Sequence, residues 1–209
     1  MKIGATSDMH GYLPKIPVGL DVLLVAGDLG PATQRYHNNF DYAEKWLRGT
    51  FAEWLKSAGC PVIGVAGNHD FIAEHDEELM RSLPWMYLLD EWVEFEGLKF
   101  HGSPCTPMFC DWAFMHEDEH LQTYWDQIPA DVDVLITHGP AYGVGDTVVG
   151  GMRVGSKTLR NHITTLSSLK LHVFGHIHEE AGYNENNKAN VSSVNLAYRP
   201  TYPVREFVI

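Results

Sequence analysis

Five short apolar runs in this chain each end on a residue able to bind a cation. KIGATSD runs into Asp8, DVLLVAGD into Asp28 and PVIGVAGN into Asn68. DVLITHG reaches His138, and LHVFGHIH reaches His176 and His178. Runs of this length, rich in Val, Ile and Leu and bounded by Gly or Pro, read as strands buried on both faces. In extended chain residues i and i+2 point to the same side, so the two imidazoles of GHIH face one place.

Helical patterns separate several of these runs. FDYAEKWLRGTFAEWLKSAG sets Phe40, Ala43, Leu47, Phe51, Trp54 and Leu55 at three- and four-residue spacing, which predicts one helix ending at Gly59. AEHDEELMRSL predicts a shorter helix stopped by Pro84, with EHDEEL as its solvated face. SKTLRNHITTLSSL repeats the pattern through Leu159, Ile163 and Leu166. MYLLDEWVEFEGLKFHGSP alternates and turns at Glu96-Gly97, as a hairpin does. YNENNKANVSSVNLA and VREFVI predict further antiparallel strands. Strand–helix alternation followed by hairpins implies a mixed α/β sandwich with helices outside the sheets. Ligands in such folds collect beyond the C-terminal strand ends, so the five ends should converge on one site. With 209 residues and no internal repeat or low-complexity linker, the expectation is a single domain spanning 1–209.

Charge narrows the partners. Fifteen basic residues face 27 acidic ones, a net of -12. Such a surface repels polymeric nucleic acid but leaves room for a small anion where bound cations make a local positive site. The three cysteines, Cys60, Cys105 and Cys110, form no CxxC pair and predict reduced, packing thiols in a cytoplasmic protein. MKIGATSDMHG reaches Asp8 without a signal-peptide apolar core, and no apolar run approaches the ~18 residues a membrane span needs. No membrane partner is expected, and the sequence does not set the oligomeric state.

The candidate ligands fall in five blocks: Asp8-Met9-His10, Gly27-Asp28, Gly67-Asn68-His69-Asp70, Thr137-His138-Gly139 and Gly175-His176-Ile177-His178. Carboxylate, amide oxygen and neutral imidazole suit divalent Mn, Fe, Zn or similar ions. No block holds a cysteine, which argues against a structural zinc knot. The ligands outnumber the needs of one ion; two ions sharing a carboxylate would use them all. As SDMHG, GDLG, GNHD, THGP and GHIH, the blocks resemble the calcineurin-like metallophosphoesterases, whose pattern is DxH, GD, GNH(D/E), a later THG-like histidine and GHxH. The resemblance spans residues 8 to 178 in the right order. It implies a four-layer sandwich of two mixed β-sheets flanked by α-helices. It also implies that Asp8, His10 and His178 hold one ion, that Asn68, His138 and His176 hold a second, and that Asp28 bridges them. His69 would face the leaving group, while Asp70 would either orient His69 or cap the following helix. The reaction implied is hydrolysis of a phosphoester: two ions roughly 3.5–4 Å apart share a hydroxide that attacks phosphorus in line. His69 gives a proton to the departing alkoxide.

A finer resemblance covers HGSPCTPMFCDWAF, THGPAYG, RVGSKTL and LHVFGHIHEEAGY, which are similar to the small metallophosphoesterase-domain proteins. Relatives in that group hydrolyse phosphodiesters, including cyclic nucleotides. Some members carry glycine where this chain has His176, and their metal site is compromised; this chain keeps the histidine. GDLGPATQR lacks the Asp-Arg pair of the protein phosphatases in the superfamily. The resemblance therefore implies a phosphodiesterase for a small substrate such as a cyclic nucleotide. A nuclease, a phosphomonoesterase, a nucleotide pyrophosphatase and a non-catalytic nucleotide-binding protein stand as alternatives. Outside the blocks, His37, His75, His101, His116, His120, His162 and His172 read as surface or packing residues. MFCDWAFM, residues 108–115, is either a stacking wall for a base or core cover. AYGVGDTVVGGMRVG reads as a mobile rim over the metals, with Arg153 either touching substrate phosphate or paired to an acid.

Overall fold

The computed structural model describes residues 1–186, 191–197 and 204–209. The first sheet is ordered Arg205–Val208 (β13), Lys2–Thr6 (β1), Val22–Ala26 (β2), Val62–Val65 (β3) and Met86–Tyr87 (β4). Three of its four pairings run parallel, and β13 pairs antiparallel with β1 at the edge. The second is ordered Asn184–Asn186 (β11), Ser192–Asn195 (β12), Leu171–Phe174 (β10), Val134–Thr137 (β9), Leu98–Ser103 (β6) and Glu91–Phe95 (β5). Strands β12, β10, β9 and β6 are parallel; β11 and β5 close the edges antiparallel. A third, two-stranded pairing joins Thr106–Pro107 (β7) to Met115–His116 (β8).

Alternation along the strands makes the layers. Ile3, Ala5, Val22, Leu24, Ile63 and Val65 point inward and meet Phe100, Val134, Ile136, Leu171, Val173 and Val194 of the other sheet. Their neighbours Leu23, Val25 and Val62 point outward under the helical cover of the first sheet, and Leu135 and Phe174 do the same on the second. Helices Gln34–Asn38 (α1), Phe40–Trp46 (α2), Ala52–Lys56 (α3), Phe71–His75 (α4) and Glu77–Ser82 (α5) contribute Tyr36, Ala43, Leu55, Ile72 and Leu79 to the first outer layer. Helices Asp118–Trp125 (α6) and Lys157–Ile163 (α7) bring Leu121, Trp125, Leu159 and Ile163 to the second. The expected four-layer α/β sandwich of two mixed sheets is the observed one.

Several elements depart from their expected form. The long helix runs from Phe40 to Lys56, but Leu47–Phe51 widens to a π-turn between α2 and α3. That turn sets Phe51 between Trp46 and Trp54, with ring centroids 5.9 and 5.8 Å away. The expected helix before Pro84 is two, because Asp76 leaves helical geometry and caps α5 by accepting from the Leu79 N–H at 2.9 Å. Helix α7 stops at Ile163, where Thr164 and Thr165 turn their hydroxyls onto the carbonyls of Asn161 and His162. In the segment expected to be antiparallel, β11 and β12 do pair antiparallel, but β12 also lies parallel beside β10, so its C-terminal end joins the other loaded strand ends. Residues 187–190 of that segment lie outside the described residues. Among the described residues no helix is long and apolar enough to cross a membrane.

Candidate metal centre

The C-terminal ends of the parallel strands of both sheets lie on one edge of the sandwich. A parallel bridge between Ser7 and Ala197 joins the sheets there. The loop after β1 continues pairing with the loop after β2: Asp8 N donates to Gly27 O at 2.9 Å and His10 N to Asp28 O at 3.0 Å. Four candidate ligands pay for this packing in backbone conformation, since Asp8, His10, Asp28 and His176 sit at φ of 49°, 44°, 54° and 68°. Left-handed conformation costs a non-glycine residue about 1 kcal/mol, and Asp and His tolerate it better than branched residues. Neighbouring glycines allow the close approach. A Cβ on Gly175 would overlap Asp8 Oδ2 and Ser7 Oγ, and one on Gly67 would overlap Asp28 Oδ1.

Two ligand groups result, Asp8 with His10 and His178, and Asp8 with Asp28 and His138; within each, the donor atoms lie within 4.8 Å of one another. His178 Nε2 is 3.3 Å from Asp8 Oδ1 and 3.2 Å from His10 Nε2. Asp28 reaches both groups, with Oδ2 3.7 Å from His10 Nε2 and Oδ1 3.5 Å from His138 Nε2. His138 Nδ1–H donates to Ala26 O at 2.9 Å, which leaves Nε2 as a lone pair aimed at Asn68 Oδ1, 2.7 Å away. Two acceptors that close repel, and a cation bound by both relieves the repulsion. Asn68 Nδ2 and His10 Nδ1 are buried without a hydrogen-bond partner among the described residues. The donor set therefore fits divalent cations. His176 belongs to neither group; its ring lies 5.1 Å from that of His138, and its backbone N–H donates to both Asp8 oxygens at 3.1 and 2.9 Å.

The electrostatics carry the same message. Burial raises Asp28, and the charges of Asp8 and Asp70 raise it further. Burial also pushes Asp8 upward, but the hydrogen bond from His178 and the fields of His138, His178 and His10 hold it below the ordinary carboxylate range. Burial lowers His10 to about 4 and His176 to about 3, so both rings are neutral and able to offer a lone pair. His178 is raised by its hydrogen bond to Asp8.

His69 faces the cavity as expected, whereas Asp70 takes neither of its expected places. The His69 ring projects into the cavity with Nε2 4.0 Å from Asp28 Oδ2, and its backbone N–H donates to Asp28 Oδ1 at 2.9 Å. Asp70 neither touches the His69 ring nor caps α4 with its side chain. Its buried carboxylate accepts from Leu29 N, Gly30 N and Gly67 N at 2.9 to 3.3 Å, lacing the loop after β2 to the loop after β3. The ring partner of His69 is instead His37, at 3.2 Å. His172 packs as expected and also braces the third loop: Thr137 Oγ1 donates to Gly139 O at 2.6 Å and accepts from His172 Nε2 at 2.9 Å.

Above the ligands lies a cavity of about 690 Å³. One wall is Pro107, Met108, Phe109 and Trp112 from the loop between β7 and β8; the other is Val148, Val149, Met152 and Val154. Among the described residues no Lys or Arg lines it. Trp112 lies 4.5 Å from the His69 ring. The stretch 108–115 divides between cavity and core: Met108, Phe109 and Trp112 face the cavity, while Ala113, Phe114 and Met115 are buried. Arg153 pairs with buried Asp146 at 3.4 Å and does not face the cavity. Cys105 packs, whereas Cys110 is exposed on the rim loop.

Residues 1–180 match the calcineurin-like phosphoesterase family. The chain belongs to that family. This calcineurin-like phosphoesterase is 42% identical over 206 residues to a UPF0046 protein of Caenorhabditis elegans, a match covering 86% of the chain and 51% of the relative. It is 33% identical over 235 residues to human metallophosphoesterase domain-containing protein 1, covering 94% of the chain and 67% of that protein. The chain thus spans about half the length of the worm relative. Its fold is similar to that of a dimetal phosphatase from Danio rerio, with a TM-score of 0.55 at 10% identity, over 96% of this chain and 90% of that one.

Proposed function

We propose that this chain is a dinuclear metal-dependent phosphodiesterase acting on a small substrate, with cyclic nucleotides the leading class. The observation that carries this reading is the cavity itself: cation ligands form its floor, apolar side chains form its walls, and among the described residues no Lys or Arg lines it. A phosphodiester bears one negative charge, which two divalent cations match unaided. A monoester dianion or a polynucleotide has more negative charge for cationic side chains to match. Flat rings can stack on Phe109 and Trp112. The mixed oxygen and nitrogen donors suit Mn, Fe, Zn or similar ions, with Asp8, His10 and His178 on one side, Asn68, His138 and His176 on the other, and Asp28 between. When bound, such ions lower the pKa of water and draw charge from phosphoryl oxygens. His69 then presents Nε2 to the leaving oxygen. The names of the human relative and the zebrafish fold neighbour support a phosphoester reaction. Free thiols at Cys60, Cys105 and Cys110 support a reducing compartment such as the cytoplasm.

The test is hydrolysis of bis-p-nitrophenyl phosphate and p-nitrophenyl phosphate with added Mn²⁺. The diester should be preferred about tenfold or more in kcat/KM, and Asp28→Ala should lose about 10³-fold. A monoester preference would reject the diester reading. An Asp28→Ala rate equal to wild type would reject the metal centre.

A further inference from the structure

The His69 ring is held on more than its own backbone. Its Nδ1 lies 3.2 Å from His37 Nε2, and among the described residues His37 is the only side chain within hydrogen-bond distance of that ring. His37 is presented from a fixed point. Thr33 caps α1 by accepting from Tyr36 N at 3.2 Å. Tyr36, the residue before His37, is 1% exposed, packs against Gly30 and meets Trp46 at 5.7 Å. The His37 ring itself lies 5.1 Å from Phe71, on the helix that follows the His69 loop. Asp70 cannot do this work, because its oxygens are taken by backbone N–H groups.

Resting on the function proposed above, we infer that His37 is the positioning residue for His69. The role requires His37 Nε2–H to donate to His69 Nδ1, which leaves the His69 hydrogen on Nε2, where the leaving oxygen can take it. The pairing fixes the ring turn, so that His69 offers Nε2 to the cavity instead of a carbon edge. Without His37 the ring is free to rotate over Trp112, and a leaving oxygen that needs a proton meets the right atom only part of the time.

The experiment compares two diesters. A cyclic nucleotide departs as an alkoxide and needs the proton; bis-p-nitrophenyl phosphate departs as a stable phenolate and does not. His37→Ala should lower kcat on the cyclic nucleotide about tenfold to a hundredfold and on the nitrophenyl diester about threefold or less. His37→Gln, which keeps a polar atom at that reach, should restore most of the loss. In a His69→Ala background His37→Ala should cost nothing further. Equal losses on both diesters, or losses that add to those of His69→Ala, would overturn the assignment. Imidazole ¹⁵N spectra read the pairing without turnover: His69 should show one tautomer in wild type and an averaged signal in His37→Ala. Identical spectra would also overturn it. If wild type hydrolyses neither diester, the function above fails while the spectra still decide the pairing.

Discussion

The floor and the walls of the cavity are built by opposite means. The floor draws Asp8, His10, Asp28 and Asn68 from one sheet and His138, His176 and His178 from the other, all close behind strand ends. Its groups are mostly buried, several are in left-handed backbone, and they are fixed by hydrogen bonds between loops. The walls are two loops carrying exposed apolar side chains: Phe109 is 64% exposed, Val149 85% and Met152 65%. A buried polar floor resists change because each lost partner leaves another group unsatisfied. Exposed apolar walls contribute contact area and little to folding, so they are where one family member can differ from another without losing its fold.

The sharpest break of this contrast is Asp70→Ala. It strands the N–H groups of Leu29, Gly30 and Gly67 in the interior, and urea unfolding should show a loss of about 4 kcal/mol. A loss no larger than that of a surface substitution would mean that the floor is not laced as described.

Acid is the next lever. Burial lowers His172 to about 3. A histidine whose folded pKa is depressed contributes stability that is complete above its ordinary 6.5 and is lost as pH falls toward the folded value. Each such group costs about 1.4 kcal/mol per pH unit in that window. Between pH 7 and pH 5 the His172→Gln variant should therefore lose about 2 kcal/mol less than wild type in urea unfolding. Half-buried Asp90, raised to about 6 by desolvation, works the other way, its contribution being lost as pH rises through 6. It is common to both proteins and cancels in the comparison.

The smallest effect belongs to the walls. Phe109→Ala should raise KM for bis-p-nitrophenyl phosphate about fivefold, close to 1 kcal/mol, with kcat and the unfolding midpoint unchanged. A variant that instead unfolds would place Phe109 in the fold and not in the wall.

The same contrast explains what could be read in advance. The floor is visible in sequence because each ligand sits within a few residues of a short Val- and Leu-rich run, so local pattern and site coincide. The walls carry no such local signal. Trp112 reaches His69 because Glu74 accepts from Phe114 N at 2.7 Å, forty residues away, and because Cys110 and Phe114 adopt φ of 61° and 57°. The place of His37 beside His69 is likewise tertiary: a lone histidine in a polar five-residue helix has no periodic neighbour to mark it. Asp70 falls in the right block, but two of its three partners, Leu29 and Gly30, lie on the preceding ligand loop and could not be read from adjacency. The parallel setting of β12 was hidden for a related reason, since strand direction depends on which neighbour accepts it.

The backbone at position 176 bears on how such a site decays. Its φ of 68° is a conformation in which glycine rests at ease and histidine does not. A drift to glycine there would relax the peptide while erasing an imidazole from the floor. Degeneration of the centre would thus run downhill in conformational terms, and only demand for the chemistry holds His176 against that slope.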